Sequence, residues 1–335
     1  MDISKTLIIS QSSDLSTNEV IRWLRFYGKK FTRINDDDEI VIENILINQL
    51  DTDIVLTNTA TMEKFSLKDF NSVWYRRGRA RMVANKRFVE NDLETYVQNK
   101  PDVIKILNRY SDDEASILNE FIYDYLENDV QVSVGKQSNS INNKLIHLKI
   151  AKSLGIDIPK SFVGPTSNFT SDGKYITKAI RDGISLSFDV HDKAYYFMMY
   201  TNIVNPIHYR NGNSCRNMLL QKRLEKKYEL RIFFFNGKFY SMAIFSQRDV
   251  KTAIDFRRYN TKKPNRNVPY NLPAELEQKL RTLMNRLKLN TGSIDMVVTK
   301  DNKFVFLEVN PVGQYGMVSY PCNYNLDSLI AQYLQ

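Results

Sequence analysis

The sequence predicts a protein of the α/β class, and three stretches of the chain carry that prediction. Residues 5–75 alternate short runs rich in Ile, Val and Thr with an amphipathic helix at about Thr17–Tyr27. Leu219–Gln247 is the longest β-rich stretch, and its Asn-Gly pair at 236–237 predicts a hairpin because both residues tolerate positive φ. Thr291–Gln314 contains a second pair of short strands rich in Val, Ile and Phe. We therefore expect an α/β (α+β) fold with an N-terminal α/β unit.

Capping residues and apolar spacing define the remaining elements. Ser16 or Thr17 can cap the first helix. Ser111 followed by Glu114 forms a capping box, which predicts that the second helix begins there. The predicted helices are Thr17–Tyr27, Ser111–Asn128, Asn142–Gly155 and Pro273–Leu289. The predicted strands of the N-terminal unit are Lys5–Ser10, Glu39–Ile47, Asp53–Thr57 and Ser72–Tyr75.

Composition limits the classes of function. Of the 335 residues, 42% are hydrophobic and 25% are charged, which is ordinary for a globular protein. No run approaches the roughly 20 apolar residues of a membrane span, and the N-terminal segment does not resemble a secretory signal. Two cysteines, Cys215 and Cys322, favour a reducing cytoplasm. The formal net charge of +9 is spread over short basic clusters, so it fits phosphate or carboxylate binding as well as nucleic acid.

The strand pair in Thr291–Gln314 brings three oxygen-bearing side chains together. If residues 301–302 form a two-residue turn, Asp295 lies opposite Glu308. Asn310 then shares the face of Glu308, because side chains alternate along a strand. Mg²⁺ takes hard oxygen ligands and is usually held by one or two carboxylates plus substrate phosphates. The pattern predicts a magnesium site, and its alternative is an ordinary hairpin with a solvated polar face.

Two lysines occupy positions suited to phosphate. Lys144 lies in the first turn of a predicted helix, where a cation is electrostatically misplaced unless an anion binds there. Lys178 lies near the end of a predicted strand at Lys174–Ile180, before a small-residue loop that could close over phosphates. For each lysine, a plain surface or structural role is the alternative.

Three further features could contact substrate. Arg76 and Arg77 end a strand, where they could bind an anion or be solvated. Glu229 and Arg231 alternate with apolar residues, so both point to one face, as a functional pair or as a simple ion pair. The aromatic stretch Ser187–Val204 predicts a hairpin that belongs to the core or serves as a docking edge for a peptide strand.

The order and spacing of these residues resemble those of the ATP-grasp ligases. The resemblance covers about Ser140 to the C-terminus and implies an ATP-grasp fold preceded by a pre-ATP-grasp α/β domain. It implies that the lysines hold phosphates, a hinge strand reads adenine, Glu229 binds ribose and Mg²⁺ is bound near the C-terminus. The residues that it assigns to ATP are Lys144, Lys178, Gln221, Lys222, Arg223, Leu224 and Glu229, and those that it assigns to Mg²⁺ are Asp295, Glu308 and Asn310.

A narrower resemblance is to the graspetide synthetases, the microviridin-type peptide cyclases, with the grasp-with-spasm maturases as the nearest subgroup. Four segments carry it: residues 73–77 (VWYRR), 228–231 (YELR), 246–247 (SQ) and 255–257 (DFR). Phe256 stands where the microviridin enzymes commonly carry Trp.

This resemblance implies a ligase that activates Asp or Glu side chains of a ribosomal precursor peptide as acyl phosphates. A Ser or Thr hydroxyl or a Lys amine of the same peptide then closes an ester or amide ring. Arg231 and Lys178 would act in catalysis. Arg76, Arg77, Arg257 and Arg258 would hold the acidic peptide, because Arg binds carboxylates bidentately.

The resemblance further implies ATP and Mg²⁺ as cofactors, a precursor peptide with leader and acidic core as partner, and a homodimer. We expect no nucleic-acid or membrane partner and a cytoplasmic location. The expected domains are 1–120, the pre-ATP-grasp domain; 121–205, a central lid with a hairpin; and 206–335, the subdomain with the metal site. Two other functions remain open: a ligase for a small molecule or a protein C-terminus, and a nucleotide-binding regulator without turnover.

Overall fold

The protein is described by a computed structural model that covers residues 5–78, 80–83, 100–164, 175–181, 183, 185–190, 193–204, 218–249, 252–258, 260 and 262–334. The chain forms two compact units, Met1–Ser138 with Asn325–Gln335, and Asn139–Tyr324. The division into three domains at 120 and 205 stays a prediction. No helix within the described ranges is long and apolar enough to cross a membrane.

The first unit contains two four-stranded sheets. The parallel sheet has the order β2-β1-β6-β8, with β1 at Lys5–Ser10, β2 at Lys30–Asn35, β6 at Ser72–Tyr75 and β8 at Val132–Val134. The mixed sheet has the order β5-β4-β3-β7, with β3 at Glu39–Ile47, β4 at Thr52–Asn58, β5 at Glu63–Ser66 and β7 at Arg81–Val83. Its described helices are α1 at Leu15–Phe26, α2 at Pro101–Asn128 and α6 at Leu326–Tyr333. The alternation of strands and helices predicted for this unit is confirmed.

Two predicted helix starts in this unit are wrong. Asp14, and neither Ser16 nor Thr17, caps α1, because its carboxylate accepts the backbone N–H groups of both residues at 2.9 and 3.3 Å. The second helix begins at Pro101 and not at Ser111. A proline in the first turn lacks only a donor that has no helical partner there. The Ser-Glu pattern at 111–114 therefore lies inside a continuous helix.

The second unit is organised around a five-stranded antiparallel sheet of order β17-β16-β15-β18-β19. Its strands are β15 at Lys226–Phe235, β16 at Lys238–Phe245, β17 at Arg266–Pro269, β18 at Thr291–Thr299 and β19 at Phe304–Asn310. A smaller sheet has the order β13-β10-β14-β9, with β9 at Ser161–Gly164, β10 at Tyr175–Lys178, β13 at Asn202–Ile203 and β14 at Met218–Lys222. The helices are α3 at Lys144–Ser153, α4 at Ala274–Arg286 and α5 at Gly316–Cys322.

One face of the five-stranded sheet forms the core of this unit. Leu230 and Ile232 of β15 and Ile294 of β18 are buried on it, and they pack in one cluster with Leu148 of α3 and Leu280 of α4. Because side chains alternate along a strand, Glu229, Arg231 and Asp295 point to the opposite face. The apolar face fixes the sheet against α3 and α4. On the opposite face, Met242 and Ile244 of β16 pack against Val318 and Cys322 of α5, and the polar residues lie beside this second cluster.

The predicted aromatic hairpin exists as β11 at Ser185–Val190 and β12 at Lys193–Met198, which pair antiparallel. The core alternative is wrong for β12, because all six of its residues are exposed. Tyr196 retains 83% of its accessible surface and Phe197 retains 52%. Exposed aromatic surface of this kind is typical of an interaction edge.

Candidate active site

The polar face of the C-terminal strand pair holds the predicted acids side by side. Asp295 of β18 is paired with Glu308 of β19, and Ser293 is paired with Asn310. Arg231 of β15 lies opposite Asp295 on the other edge of β18. Directly opposed residues of an antiparallel pair project from the same face. The sheet therefore presents two acids, an amide and a guanidinium together, as the sequence predicted.

The pairing of Asp295 with Glu308 arises by a different route from the one predicted. Near the turn, Val298 pairs with Phe304, one position away from the register of a two-residue turn. The register then shifts between Asp295 and Met296, where Phe306 pairs with Met296 and Leu307 is the extra residue. This bulge restores the pairing and re-aims Glu308, as bulges commonly do beside active sites. The two-residue turn assumed for this register is wrong, because residues 300–302 all lie in the turn, although the predicted acid pair is present.

A single guanidinium nitrogen of Arg231 contacts both carboxylate oxygens of Asp295. One Nη of Arg231 donates to Oδ1 at 2.8 Å and to Oδ2 at 2.6 Å. Burial raises the pKa of the Asp295 carboxyl, and the Arg231 charge offsets part of that rise. The Nε of Arg231 is buried and makes no hydrogen bond within the described residues. An unsatisfied buried donor is costly, so this group is suited to a bound anion.

Glu308 is paired with the lysine that begins α3. Lys144 Nζ lies 3.1 Å from Glu308 Oε2 and donates to the carbonyl of Ala179 at 3.0 Å. Burial opposes the ionisation of Glu308, but Lys178 and Lys144 together outweigh it and lower the pKa of its carboxyl. Asn310 is held in turn, because its Oδ1 accepts from the Nδ2 of Asn142 at 3.0 Å.

Lys178 completes this cluster from the smaller sheet. It is the last residue of β10, so it lies at a strand end as predicted. Burial lowers the pKa of its ammonium group, and the charge of Glu308 offsets part of that effect. A half-buried lysine whose pKa responds to two carboxylates and a second lysine is suited to holding phosphate oxygens.

The segment 221–224 connects the two sheets of this unit. Gln221 and Lys222 end β14, and residues 223–225 lie outside any strand before β15 begins. The Gln221 side chain is fully buried and donates to the Ser161 hydroxyl at 2.9 Å. Its Oε1 accepts no hydrogen bond from the described residues. Lys222 and Arg223 are exposed, and the backbone of residues 223–224 belongs to no strand, which leaves it free for the adenine-binding role predicted for this hinge.

Glu229 has two donors on a single oxygen. Lys226 Nζ donates to Glu229 Oε1 at 2.9 Å, and the Ser246 hydroxyl donates to the same atom at 2.7 Å. Burial raises the pKa of the Glu229 carboxyl, and Lys226 offsets part of that rise. Lys226 was not among the predicted site residues. The one sequence feature that could have indicated it is the basic pair at 226–227.

No protein-family model and no curated protein matches the chain. Solved structures match it over nearly its whole length. A RiPP-associated ATP-grasp ligase from Chryseobacterium gregarium, in complex with ADP and a leader and core peptide, is 21% identical, with 99% of this chain and 95% of that one covered and a TM-score of 0.68. Macrocyclase MdnC from Microcystis aeruginosa MRC, bound with precursor peptide MdnA, is 24% identical, with 98% and 99% covered and a TM-score of 0.68.

A third match is the ATP-grasp ligase PsnB, complexed with a phosphomimetic variant of minimal precursor, Mg and ADP. It is 12% identical, with 99% of this chain and 97% of that one covered and a TM-score of 0.62. The chain has the ATP-grasp fold. The fold class predicted from the sequence is thereby confirmed.

In this ATP-grasp fold, the predicted metal ligands suit Mg²⁺ by their chemistry. The set consists of two carboxylates and one amide, which supply only hard oxygen donors. Each is already held by a protein donor: Asp295 by Arg231, Glu308 by Lys144 and Asn310 by Asn142. Within the described ranges, no group of three His, Cys, Asp or Glu side chains could hold a metal. A site with two acids therefore depends on substrate phosphates for its remaining ligands.

Two of the predicted peptide-binding arginines lie in the loop after β16. Asp255 accepts from the Nε and one Nη of Arg257 at 2.9 and 2.6 Å, and this contact raises the pKa of the guanidinium. The Arg257 side chain remains 46% exposed. Arg258 donates to the side chain of Asn202 and lies over the ring of Tyr200. Arg257 is therefore oriented by Asp255 and still accessible.

The other two predicted arginines lie in the first unit and differ from each other. Arg76 is only 2% exposed, and its Nη2 donates to the Ser16 hydroxyl at 3.1 Å. Arg77 Nε lies 2.7 Å from Asp14 Oδ2, and its side chain is 27% exposed. Arg77 is thus the one of the pair that a peptide could reach from solvent.

A close contact between two glycines lies beside Asn310, one of the predicted metal ligands. Gly313 has φ +58°, and a Cβ there would lie 3.0 Å from Gly292 C and Ser293 N. A Cβ added to Gly292 would in turn lie 3.1 Å from the carbonyl oxygen of Asn310. Two backbones can approach this closely only where side chains are absent.

We expect Gly313→Ala to destabilise the second unit more than Gly155→Ala. Gly155 has φ +67° with nothing within 4 Å of its ideal Cβ, so its variant measures backbone strain alone, about 1 kcal/mol. Gly313→Ala adds overpacking of about 1–3 kcal/mol. Urea unfolding followed by circular dichroism compares the two variants. Equal losses would mean that the close contact beside Asn310 has no energetic role.

Proposed function

We propose that the protein is an ATP-dependent, ADP-forming ligase that closes ester or amide rings in a ribosomal precursor peptide. One observation carries the proposal: Asp295, Glu308 and Asn310 lie together, with Lys144 ion-paired to Glu308 at 3.1 Å. The charge of Lys178 also lowers the pKa of the Glu308 carboxyl. That arrangement suits the phosphate end of a nucleotide and occurs in a chain with the ATP-grasp fold.

The choice of a peptide substrate is supported by the solved structures with the same fold. The Chryseobacterium ligase was solved with a leader and core peptide, MdnC with a precursor peptide and PsnB with a minimal precursor. The exposed aromatic strand β12 and the accessible Arg257 also favour a peptide over a small molecule. The first could bind apolar side chains and the second could bind carboxylates.

We assign the nucleotide to the polar face of the five-stranded sheet in the second unit. Lys144 and Lys178 would hold the phosphates, and the backbone of residues 221–224 would read adenine. Glu229 would accept hydrogen bonds from the ribose hydroxyls, because a buried carboxylate is a strong acceptor. Asp295, Glu308 and Asn310 would hold Mg²⁺, which supplies neutralisation of the phosphate charge when bound.

The proposed reaction has two steps. A peptide carboxylate oxygen attacks the γ-phosphorus of ATP, the bond to the β-phosphate oxygen breaks, and ADP leaves. A Ser or Thr hydroxyl or a Lys amine of the same peptide then attacks the acyl carbon, loses its proton and expels inorganic phosphate. Positioning and electrostatic stabilisation supply most of the catalysis. Arg231 would stabilise the transferred phosphoryl group, and its buried Nε supports that role.

The proposal predicts the products. With ATP, Mg²⁺ and the cognate precursor, each ring should lower the peptide mass by about 18 Da, because one water is lost per condensation, and each should release one ADP and one phosphate. Mass spectrometry and nucleotide chromatography measure both. Release of AMP and pyrophosphate would exclude the acyl-phosphate route. ATP hydrolysis without any change in peptide mass would exclude ring closure.

We also propose a homodimer in the cytoplasm. The resemblance to the graspetide synthetases supports the first, and the presence of only two cysteines supports the second.

A further inference from the structure

A β-bulge beside Glu229 brings Lys226 onto the face of that carboxylate. Lys226 pairs with Thr299 and Glu229 pairs with Val297, and the register shifts between Lys226 and Tyr228. In a regular strand, residues three apart point to opposite faces. The extra residue of the bulge removes that difference, so the two side chains meet. Bulges are common beside active sites, where they re-aim a side chain.

The ammonium group of Lys226 joins two parts of the site. Its Nζ donates to Glu229 Oε1 at 2.9 Å and to the carbonyl of Ile254 at 3.0 Å. The side chain is 11% exposed, so these contacts replace most of its hydration. Ile254 directly precedes Asp255, whose carboxylate orients Arg257. One cation therefore connects the proposed ribose acceptor to the loop that carries the proposed peptide-binding arginine.

The hydrogen bonds on Glu229 leave one oxygen for a ligand. Lys226 and Ser246 both donate to Oε1, and no described residue donates to Oε2. The Ser246 hydroxyl reaches the loop only indirectly, because it accepts from the Nε2 of Gln247 at 2.9 Å, which also donates to the Ala253 carbonyl at 3.2 Å. Both donors hold the carboxylate, and the Lys226 side chain contacts the loop directly.

We infer that Lys226 is a positioning residue that couples nucleotide binding at Glu229 to the order of the loop at residues 252–258. The inference rests on the proposed function, because it needs a nucleotide at Glu229. When the ribose engages Oε2, the carboxylate is fixed and Lys226 with it, so the Ile254 carbonyl is held more firmly. By linkage, a loop ordered by its own ligand favours nucleotide binding to the same extent.

Hydrogen exchange tests this coupling with ADP and Mg²⁺ as the probe. In the wild type, ADP should slow exchange at the amides of residues 252–258. Lys226→Met should weaken ADP binding about tenfold, the order expected for loss of a hydrogen bond to a charged group, and should abolish the ADP-dependent protection of the loop. Ser246→Ala should also weaken ADP binding but keep the protection when ADP is saturating, because the contact of Lys226 with the Ile254 carbonyl remains, as does the hydrogen bond from the Thr252 hydroxyl to the Ser246 carbonyl.

Lys227→Met is the matched control. Lys227 is the neighbouring residue, it is exposed, and its Nζ donates to Asn302 at 2.8 Å. This variant should match the wild type in both ADP affinity and protection. Loop protection that persists in Lys226→Met overturns the coupling, as does wild-type ADP affinity in that variant. Wild-type protein that binds no ADP at all overturns the proposed function instead.

Discussion

Glu308→Gln is expected to lower the rate of ADP release by about 10³-fold, because charge neutralisation by a bound metal contributes several kcal/mol to phosphoryl transfer. The substitution keeps the size of the side chain but removes the negative charge. That charge balances Lys144 at 3.1 Å and would be one of two carboxylate ligands for Mg²⁺. We therefore also expect the Mg²⁺ concentration for half-maximal ADP binding to rise. Steady-state kinetics and ADP binding over a Mg²⁺ series measure the two effects.

Glu225→Gln provides the same chemical change at a site without this role. Glu225 Oε2 lies 3.3 Å from Lys300, and both side chains are strongly exposed, so the pair contributes little. This variant should retain wild-type turnover and Mg²⁺ dependence. If Glu308→Gln also retained wild-type turnover and Mg²⁺ dependence, the assignment of Glu308 as a metal ligand would be wrong. A thermal unfolding curve for each variant separates loss of catalysis from loss of structure.

The sequence predicted the polar face of the site because that face depends on period-two alternation and on a few residue types. Glu229 and Arg231 share a face, and Asp295 lies opposite Glu308, as alternation and strand pairing required. The prediction for Glu308 succeeded although the turn was wrong. One residue added by the bulge compensated for one residue misjudged in the turn. Agreement at one pair therefore does not establish the register of a whole ribbon.

The features that the sequence did not predict share a physical cause. Lys226 reaches Glu229 only because a bulge breaks the alternation that sequence reasoning assumes. The burial of Arg76 depends on Asp14, which is distant along the chain. The start of α2 at Pro101 depends on a proline at its N-terminus, whereas a capping-box pattern ten residues later gave the more familiar signal. Local patterns predicted the types of the elements well. Contacts between distant segments determine which partners the individual charged side chains have and how deeply they are buried.

Arg231→Met is expected to destabilise the second unit by about 3–5 kcal/mol, the cost of leaving one member of a buried ion pair alone. Arg231 is 5% exposed, and one of its Nη atoms contacts the two carboxylate oxygens of Asp295 at 2.8 and 2.6 Å. Without that partner, the carboxylate of Asp295 faces Glu308 with less compensation. Exchange rates of the slowest amides in β15 and β18 report the free energy of opening directly, and amides of β1 in the first unit serve as the internal reference.

The double variant Arg231→Met with Asp295→Asn separates the ion pair from the packing of its members. Because neither remaining side chain is charged, the double variant should be less destabilised than Arg231→Met alone, since replacing both members of a buried pair is far less costly than removing one. A double-mutant cycle that compares this variant with Arg231→Met and Asp295→Asn alone should give a coupling energy of about 1–3 kcal/mol. Additive losses would show that the two charges do not stabilise each other in the folded protein. Both variants should lack turnover, because one loses the group proposed to stabilise the phosphoryl and the other also loses a proposed metal ligand. If the double variant is more stable than Arg231→Met but equally inactive, the two residues are needed for catalysis as well as for folding.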